Sequence, residues 1–387
     1  MSRVHLDHNA TTRIRPEARE ALIEALDRQQ GNASSVHAAG RAARAMLDEA
    51  RERVAGALAV LEDEVIFTSG GTESNNLALH GVLRRAGGAA RLVTTAVEHA
   101  AVLAPAEDLA SDGHGITRVG VNAEGRVDLD EVFEAASAAD TALVSVMAAN
   151  NEVGTCVNVA ALADKLEGLA PAARPLLHTD AVQVLGKRPL DIQALRANLV
   201  SLSAHKVGGP IGCGVLIRRM GTHLRPLQFG GGQEADLRPG TENLPAIVAG
   251  SVAIELAVEE QEAFAERART QVQALWRGIR DGVTGSRVLG PGLDDPWRLP
   301  NTLNVQVEGV DGRAWVTRLD LEGLEASAGS ACASGSLEPS HVLMAMGLSR
   351  DAARAGLRLS TGRTTSDEDI HMAVDIVRRT ATSARKS

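Results

Sequence analysis

The sequence predicts an α/β protein in two parts: a large domain over residues 16–260 around a mainly parallel sheet, and a smaller α+β domain made of residues 1–15 and 261–387. Three observations carry this. Short apolar runs alternate with helical stretches through the first part, the pattern of a parallel sheet joined by crossover helices. Past the middle of the chain a long polar-faced helix is followed by a different pattern, in which strand-like runs lead to a terminal helix. The 387 residues, 44% hydrophobic and 23% charged, exceed what one core usually holds and carry no bias toward disorder.

Taken in order, "RPEAREALIEALDRQQG" sets Pro16 near a helix start and Gly31 at its end. Proline's missing N–H costs nothing in a first turn, and glycine tolerates the left-handed exit. "AAGRAARAMLDEARERVAGAL" continues as helix. Strands are expected at 64–69, 91–95, 142–149, 175–180, 199–204 and 214–219, each a short apolar run bounded by polar or glycine-rich residues. A helix from Ala253 to Val283 follows the loop "FGGGQEADLRPGTEN". Beyond it "NTLNVQVEG", "LEASAG" and "GLRLST" read as strands, and "SDEDIHMAVDIVRRTATSAR" as the last helix.

Several function classes lose support at once. A net charge of −9 supplies no global field for nucleic acid. Cys156, Cys213 and Cys332 lie far apart, with no CxxC and no Cys/His cluster at ligand spacing, so neither a disulfide framework nor a metal site is expected. The N-terminal residues contain no apolar signal core, and the chain has no long apolar run, so a cytoplasmic protein without membrane contact is expected.

In sheets of this kind ligands bind at the strand C-termini, and the polar motifs fall there. "VIFTSGGTESNNLAL" runs strand, glycine turn, helix, so the backbone at Gly71 and Thr72 and the Thr72 hydroxyl suit a phosphate at a helix N-terminus. A plain capped turn fits the same residues. The motif lacks both GxGxxG and GK[ST], which disfavours hydride transfer and nucleotide hydrolysis. "HTDAVQ" ends a strand with Asp180, with Gln183 three residues on; a turn-capping aspartate is the plain alternative. "SLSAHKVGGPIGCGVLI" ends another with Ser203, His205 and Lys206, and a crowded strand end penalises a charged lysine that has no task. One assignment gives each part a task. Pyridoxal phosphate needs a lysine to hold it covalently, an acid to keep its pyridine nitrogen protonated and a cradle for its phosphate. Separately, "SAGSACASGS" surrounds Cys332 with residues too small to bury the segment in a core, so an accessible thiol on a loop is expected.

Ten motifs, "LDHNATT", "GNASSVH", "TSGGTESNN", "VEHAAVL", "NNEVGT", "HTDAVQ", "SAHKVGGPIG", "RPGTEN", "SAGSACASGSLEPSHVL" and "LRLSTGR", occur in this order from about residue 5 to 370. Together they resemble the cysteine desulfurases of the nitrogen-fixation and iron–sulfur-cluster type, class V aminotransferases within the fold-type I pyridoxal-phosphate enzymes. The resemblance implies that His99 stacks on the cofactor ring and moves protons, Asp180 meets the pyridinium nitrogen, Gln183 the phenolic oxygen, and Lys206 forms the covalent link. It implies that Gly71, Thr72, Ser203 and His205 hold the phosphate, and that Thr241 reaches the phosphate of the other subunit, hence a homodimer. Substrate carboxylate binding maps to Arg358 and Asn151, with Asn32 bordering the same site. Cys332 becomes the nucleophile that takes sulfur from L-cysteine as a persulfide, leaving L-alanine. It then delivers the sulfur to an acceptor protein for iron–sulfur cluster assembly or thiolation. The rival readings keep the fold: a selenocysteine lyase or other class V aminotransferase, or a non-catalytic sulfur-carrier or assembly subunit. Two departures stand out. Ala33 occupies a position where many members have proline, and the chain ends soon after its last helix, where housekeeping members continue into a scaffold-docking tail.

Overall fold

The computed structural model describes residues 3–329 and 338–384. Its strands, among the described residues, are β1 (Val4–His5), β2 (Val65–Thr68), β3 (Arg91–Thr95), β4 (Gly115–Val119), β5 (Thr141–Ser145), β6 (Leu176–Asp180), β7 (Leu199–Ser203), β8 (Gly214–Arg218), β9 (Ser286–Leu289), β10 (Thr302–Val307), β11 (Leu324–Glu325) and β12 (Gly356–Ser360). Seven of them form one sheet in the order β2-β8-β7-β6-β5-β3-β4. All pairs in it are parallel except those of β8, which runs antiparallel to both β2 and β7. The exception follows from chain length. The link between β7 and β8 is too short to hold the crossover that parallel pairing requires. The sheet is therefore mainly parallel, as the alternation predicts.

The two largest hydrophobic clusters lie in different parts of the chain. The first packs Val65, Phe67, Val93, Val144, Val200 and Val215 of the seven-stranded sheet against helices including Ala38–Leu58 and Leu244–Glu259. The second joins Val4 and Leu6 to Leu275, Leu303, Trp315, Leu359 and Val377, around the antiparallel sheet β12-β10-β9. The N-terminal residues reach it because β1 pairs with β11 and Asp7 bridges to Ser360.

The structure corrects the expected helix at 253–283. Two helices stand there, Leu244–Glu259 and Gln261–Gly282, broken at Glu260. Asn243 caps the first by accepting from Ala246 N–H, with Pro245 in the opening turn, so it starts nine residues early. The break lets Ile247, Ala253 and Ile254 enter the first core while Val272, Leu275 and Ile279 enter the second. One straight helix could not serve both. β4 and β9 have no counterpart in the sequence reading because both are sheet-edge strands with weak apolar alternation. Of "LEASAG" only Leu324–Glu325 is strand, and the first helix ends at Arg28, before Gly31. No described helix is long and apolar enough to cross a membrane.

Candidate active site

Ten residues singled out by the sequence line one cavity of about 180 Å³: Gly71, Thr72, His99, Asn151, Asp180, Gln183, Ser203, His205, Lys206 and Arg358. The parallel strands explain the convergence. β6 ends at Asp180, β7 at Ser203, β2 runs into the turn before helix Gly71–Leu83, and β3 leads to His99 at the cap of helix Ala100–Ser111. Arg358 comes from the second core, in the middle of β12. The cavity thus sits between the two cores.

Lys206 lies on the single turn Ala204–Lys206 that follows β7, and its Nζ donates to the backbone oxygens of Asn9 (2.8 Å) and Ala10 (2.6 Å). Asp180 is buried; its Oδ2 accepts from Asn75 Nδ2 at 2.7 Å and its Oδ1 from Val182 N–H at 3.0 Å, which fixes the carboxylate plane. Gln183 donates from Nε2 to the Asn9 oxygen at 3.0 Å. The Nδ1 of His99 accepts from Ala101 N–H at 3.0 Å, so a neutral ring carries its proton on Nε2. Burial, helped by Lys206 and Lys187, pushes His205 down to about 4, leaving a neutral imidazole near pH 7. Arg358 is buried, with one guanidinium NH₂ group 2.6 Å from Asp7 Oδ1, the other 3.1 Å from the Asn151 oxygen, and its Nε without a hydrogen-bond partner.

Glycines shape the turn at the head of helix Gly71–Leu83. A Cβ on Gly214, the first residue of β8, would fall 2.4 Å from Gly70 Cα, and one on Gly71 would fall 2.8 Å from Val182 Cγ2. The turn can lie against β8 and beside Val182 only without those atoms, which leaves its backbone N–H groups open to an anion. These features fit pyridoxal phosphate: a donor-rich helix start for the phosphate, a lysine amine at the cavity wall, and a buried carboxylate held by Asn75, whose own Oδ1 is buried without a partner. Among the described residues no group of three or more His, Cys, Asp or Glu could hold a metal ion.

The remaining candidates lie elsewhere. Asn32 lines no part of the cavity; its Nδ2 stands 3.5 Å from Thr241 Oγ1 instead. Cys332 falls outside the described residues. The described chain on either side is tied to the cavity wall. Ser327 exchanges backbone hydrogen bonds with Arg358 (3.1 and 2.7 Å), and Ser340 Oγ donates to Glu152 Oε2 at 2.6 Å. Burial pushes Cys156 up to about 11 and Cys213 up to about 12, as suits thiols that only pack. Three contributors escaped the sequence reading: Asn9, Asn75 and Lys187. Asn9 and Asn75 stand inside the quoted motifs "LDHNATT" and "TSGGTESNN", and Lys187 follows Gln183 by four residues. Those offsets were the available signal.

Behind His99, Glu98 is fully buried, its Oε1 accepting from Thr95 Oγ1 (2.8 Å) and Met147 N–H (2.9 Å). Burial outweighs both hydrogen bonds and raises its pKa from 4.5 to about 8. A carboxyl raised on folding adds stability that is fully present below its unfolded pKa and lost as pH rises through the folded one, so the loss runs from about pH 4.5 to about pH 8. The melting temperature of Glu98→Gln, followed across that window, is expected to fall less steeply than that of the wild type. Parallel curves for the two proteins would refute a proton resident on Glu98.

The chain matches the aminotransferase class-V family model over residues 4–372. It is 41% identical to a cysteine desulfurase IscS of Dictyoglomus turgidum, over 97% of this chain and 94% of the relative. Among solved structures it is similar to a NifS-like protein (TM-score 0.91, 35% identity, 98% of this chain and 100% of the other). It is also similar to SspA, solved in complex with cysteine (TM-score 0.79, 32% identity, 92% of this chain and 98% of the other).

Proposed function

The chain belongs to the class V aminotransferase family and, within it, to the cysteine desulfurases, and from that premise we propose that Cys332 takes sulfur from L-cysteine as a persulfide and passes it to an acceptor thiol. The observation that carries the reading is the convergence of Lys206, Asp180, Gln183 and Arg358 on one cavity from three separate segments. When bound, pyridoxal phosphate supplies an electron sink for negative charge at the substrate Cα. Asp180, held in plane by Asn75 and Val182, would keep the ring nitrogen protonated, and Gln183 would donate to the phenolic oxygen. Gly71, Thr72, Ser203 and His205, which line the same cavity, would hold the phosphate. Lys206 would hold the cofactor covalently through its Nζ, and the same amine would serve as the base toward the substrate Cα proton. His99, at the cavity wall, would lie against the bound cofactor and handle a proton at Nε2. Arg358, with Asn151 beside it, binds the substrate carboxylate, and its fixed guanidinium suits that planar partner.

In the sulfur step the Cys332 thiolate attacks the substrate sulfur. An S–S bond forms, the C–S bond breaks, its electron pair passes to carbon, and protonation completes L-alanine. Cysteine and one thiol thus give alanine and one persulfide, with no added oxidant. The reading extends to a homodimer in which Thr241 serves the other subunit's phosphate. Its support is that the paired Asn32 and Thr241 line no part of this chain's own cavity, together with exposed Val36, Ile211 and Phe229. It also includes an acceptor of the iron–sulfur or thiolation type and a reducing, cytoplasmic setting, which suits cysteines far apart in sequence.

The test is to incubate the purified protein with pyridoxal phosphate and L-cysteine and to measure visible absorption, alanine and protein persulfide together. A visible band with one alanine formed per sulfur transferred is expected. A colourless protein points to a non-catalytic carrier, and turnover of selenocysteine alone points to a lyase. Either outcome overturns the reading.

A further inference from the structure

We propose that Lys187 is a positioning residue for the reaction: its side-chain amine locks the amide of Gln183 in one orientation and joins Gln183 and Lys206 to a common support at Asn9. The inference rests on the reading of Gln183 as the partner of the cofactor's phenolic oxygen. It adds a residue that lines no part of the cavity.

Lys187 is buried, and its Nζ donates to Gln183 Oε1 at 2.5 Å and to Asn9 Oδ1 at 3.1 Å. Both partners are oxygens, and an uncharged amine still has two N–H groups for them. With Oε1 taken, the Gln183 amide must turn its NH₂ group the other way. One of those hydrogens goes to the Asn9 backbone oxygen at 3.0 Å, and the second remains for a group in the cavity. That same Asn9 oxygen accepts from Lys206 Nζ at 2.8 Å. The Asn9 side chain is itself pinned: its Oδ1 also accepts from Asn301 Nδ2 at 3.1 Å, and its Nδ2 donates to Thr302 Oγ1 at 2.8 Å and to the Asn151 oxygen at 3.2 Å. Lys187 therefore closes a network that includes Asn9, Asn151, Gln183 and Lys206 of the cavity wall.

The site is a costly one for a lysine. Burial, with Lys206 and Arg358 nearby, holds its pKa well below the ordinary value, while Cys156 acts weakly the other way. His8 and His205 also face it, and each is pushed down in part by Lys187. Packing alone would be met by methionine or leucine at no such cost. The two directed donors distinguish lysine here.

The test compares Lys187→Met, Lys187→Gln and Gln183→Leu by titrating the visible band of the cofactor-loaded proteins with pH. Lys187→Met is expected to move the midpoint in the same direction as Gln183→Leu, by about one unit, the scale of one hydrogen bond to a charged group. Lys187→Gln, which keeps two uncharged N–H donors, is expected to lie closer to the wild type. A purely packing role would lower the melting temperature of Lys187→Met and leave the midpoint alone. A shift in Gln183→Leu without one in Lys187→Met overturns the proposal and leaves the Gln183 reading intact; no shift in either overturns both. A measurement on the wild type is independent of how the variants fold. The Gln183 side-chain amide, assigned in NMR by its loss in Gln183→Leu, is expected to show two distinct, slowly exchanging hydrogens. A rapidly averaged pair overturns the proposal.

Discussion

Lys206→Ala is expected to abolish alanine formation from L-cysteine, with a loss on the order of 10⁴-fold or more, because on the proposed mechanism one amine both holds the cofactor and removes the substrate proton. The spectrum of the loaded variant should change in parallel, since its chromophore depends on the covalent bond to Lys206. No neighbour can substitute. Lys187, a buried amine close by, is bound to Gln183 and Asn9 and does not line the cavity. The fold should survive, because the Lys206 side chain lies on a single turn at the cavity wall and outside the hydrophobic clusters. Alanine release and visible absorption, measured beside a melting curve, separate lost chemistry from lost structure. A variant retaining more than about one per cent of wild-type turnover would remove Lys206 from the role of base, since that step should contribute at least 10²-fold.

Cys332→Ala is expected to keep the visible band and cysteine binding while losing persulfide formation entirely and alanine release by about 10²- to 10³-fold, a nucleophile's share of the barrier. The sulfur step needs an acceptor thiolate, and the other two thiols cannot supply one. Burial raises Cys156 to about 11 and Cys213 to about 12, so near pH 7 almost none of either is ionised. Mass spectrometry of the reacted wild type should place the extra sulfur on the peptide containing Cys332. Undiminished alanine release by the variant would overturn the mechanism. A persulfide mapped to Cys156 or Cys213 would move the nucleophile and contradict the burial of those thiols.

The two predictions differ in how their residues became legible. Lys206, Asp180 and Gln183 were readable because each sits at or just beyond a strand end, and parallel strands gather such ends on one edge of the sheet. Cys332 lies outside the described residues, so its reading rests on its small sequence neighbours alone. Arg358 was ambiguous from spacing, since an arginine within a strand serves equally as a surface ion-pair partner. Its burial and its contacts with Asp7 and the Asn151 oxygen place it at the cavity wall. The expected helix through residue 260 was misread because its polar face continues across Glu260 while its apolar partners change from one core to the other.

By itself, the amino-acid sequence determined the alternating α/β architecture, the strand ends that carry the lysine, acid and phosphate turn, and the small-residue setting of the thiol. All of these are local patterns of apolar periodicity, glycine and charge. Tertiary structure alone decided that Asn9 is the common support of Lys206, Gln183 and Lys187, that Asn75 holds Asp180, and that Asn32 meets Thr241 away from the cavity. The physical reason is range. Hydrogen bonds between residues 105 to 209 positions apart depend on how distant segments pack against each other, and no local pattern encodes that packing.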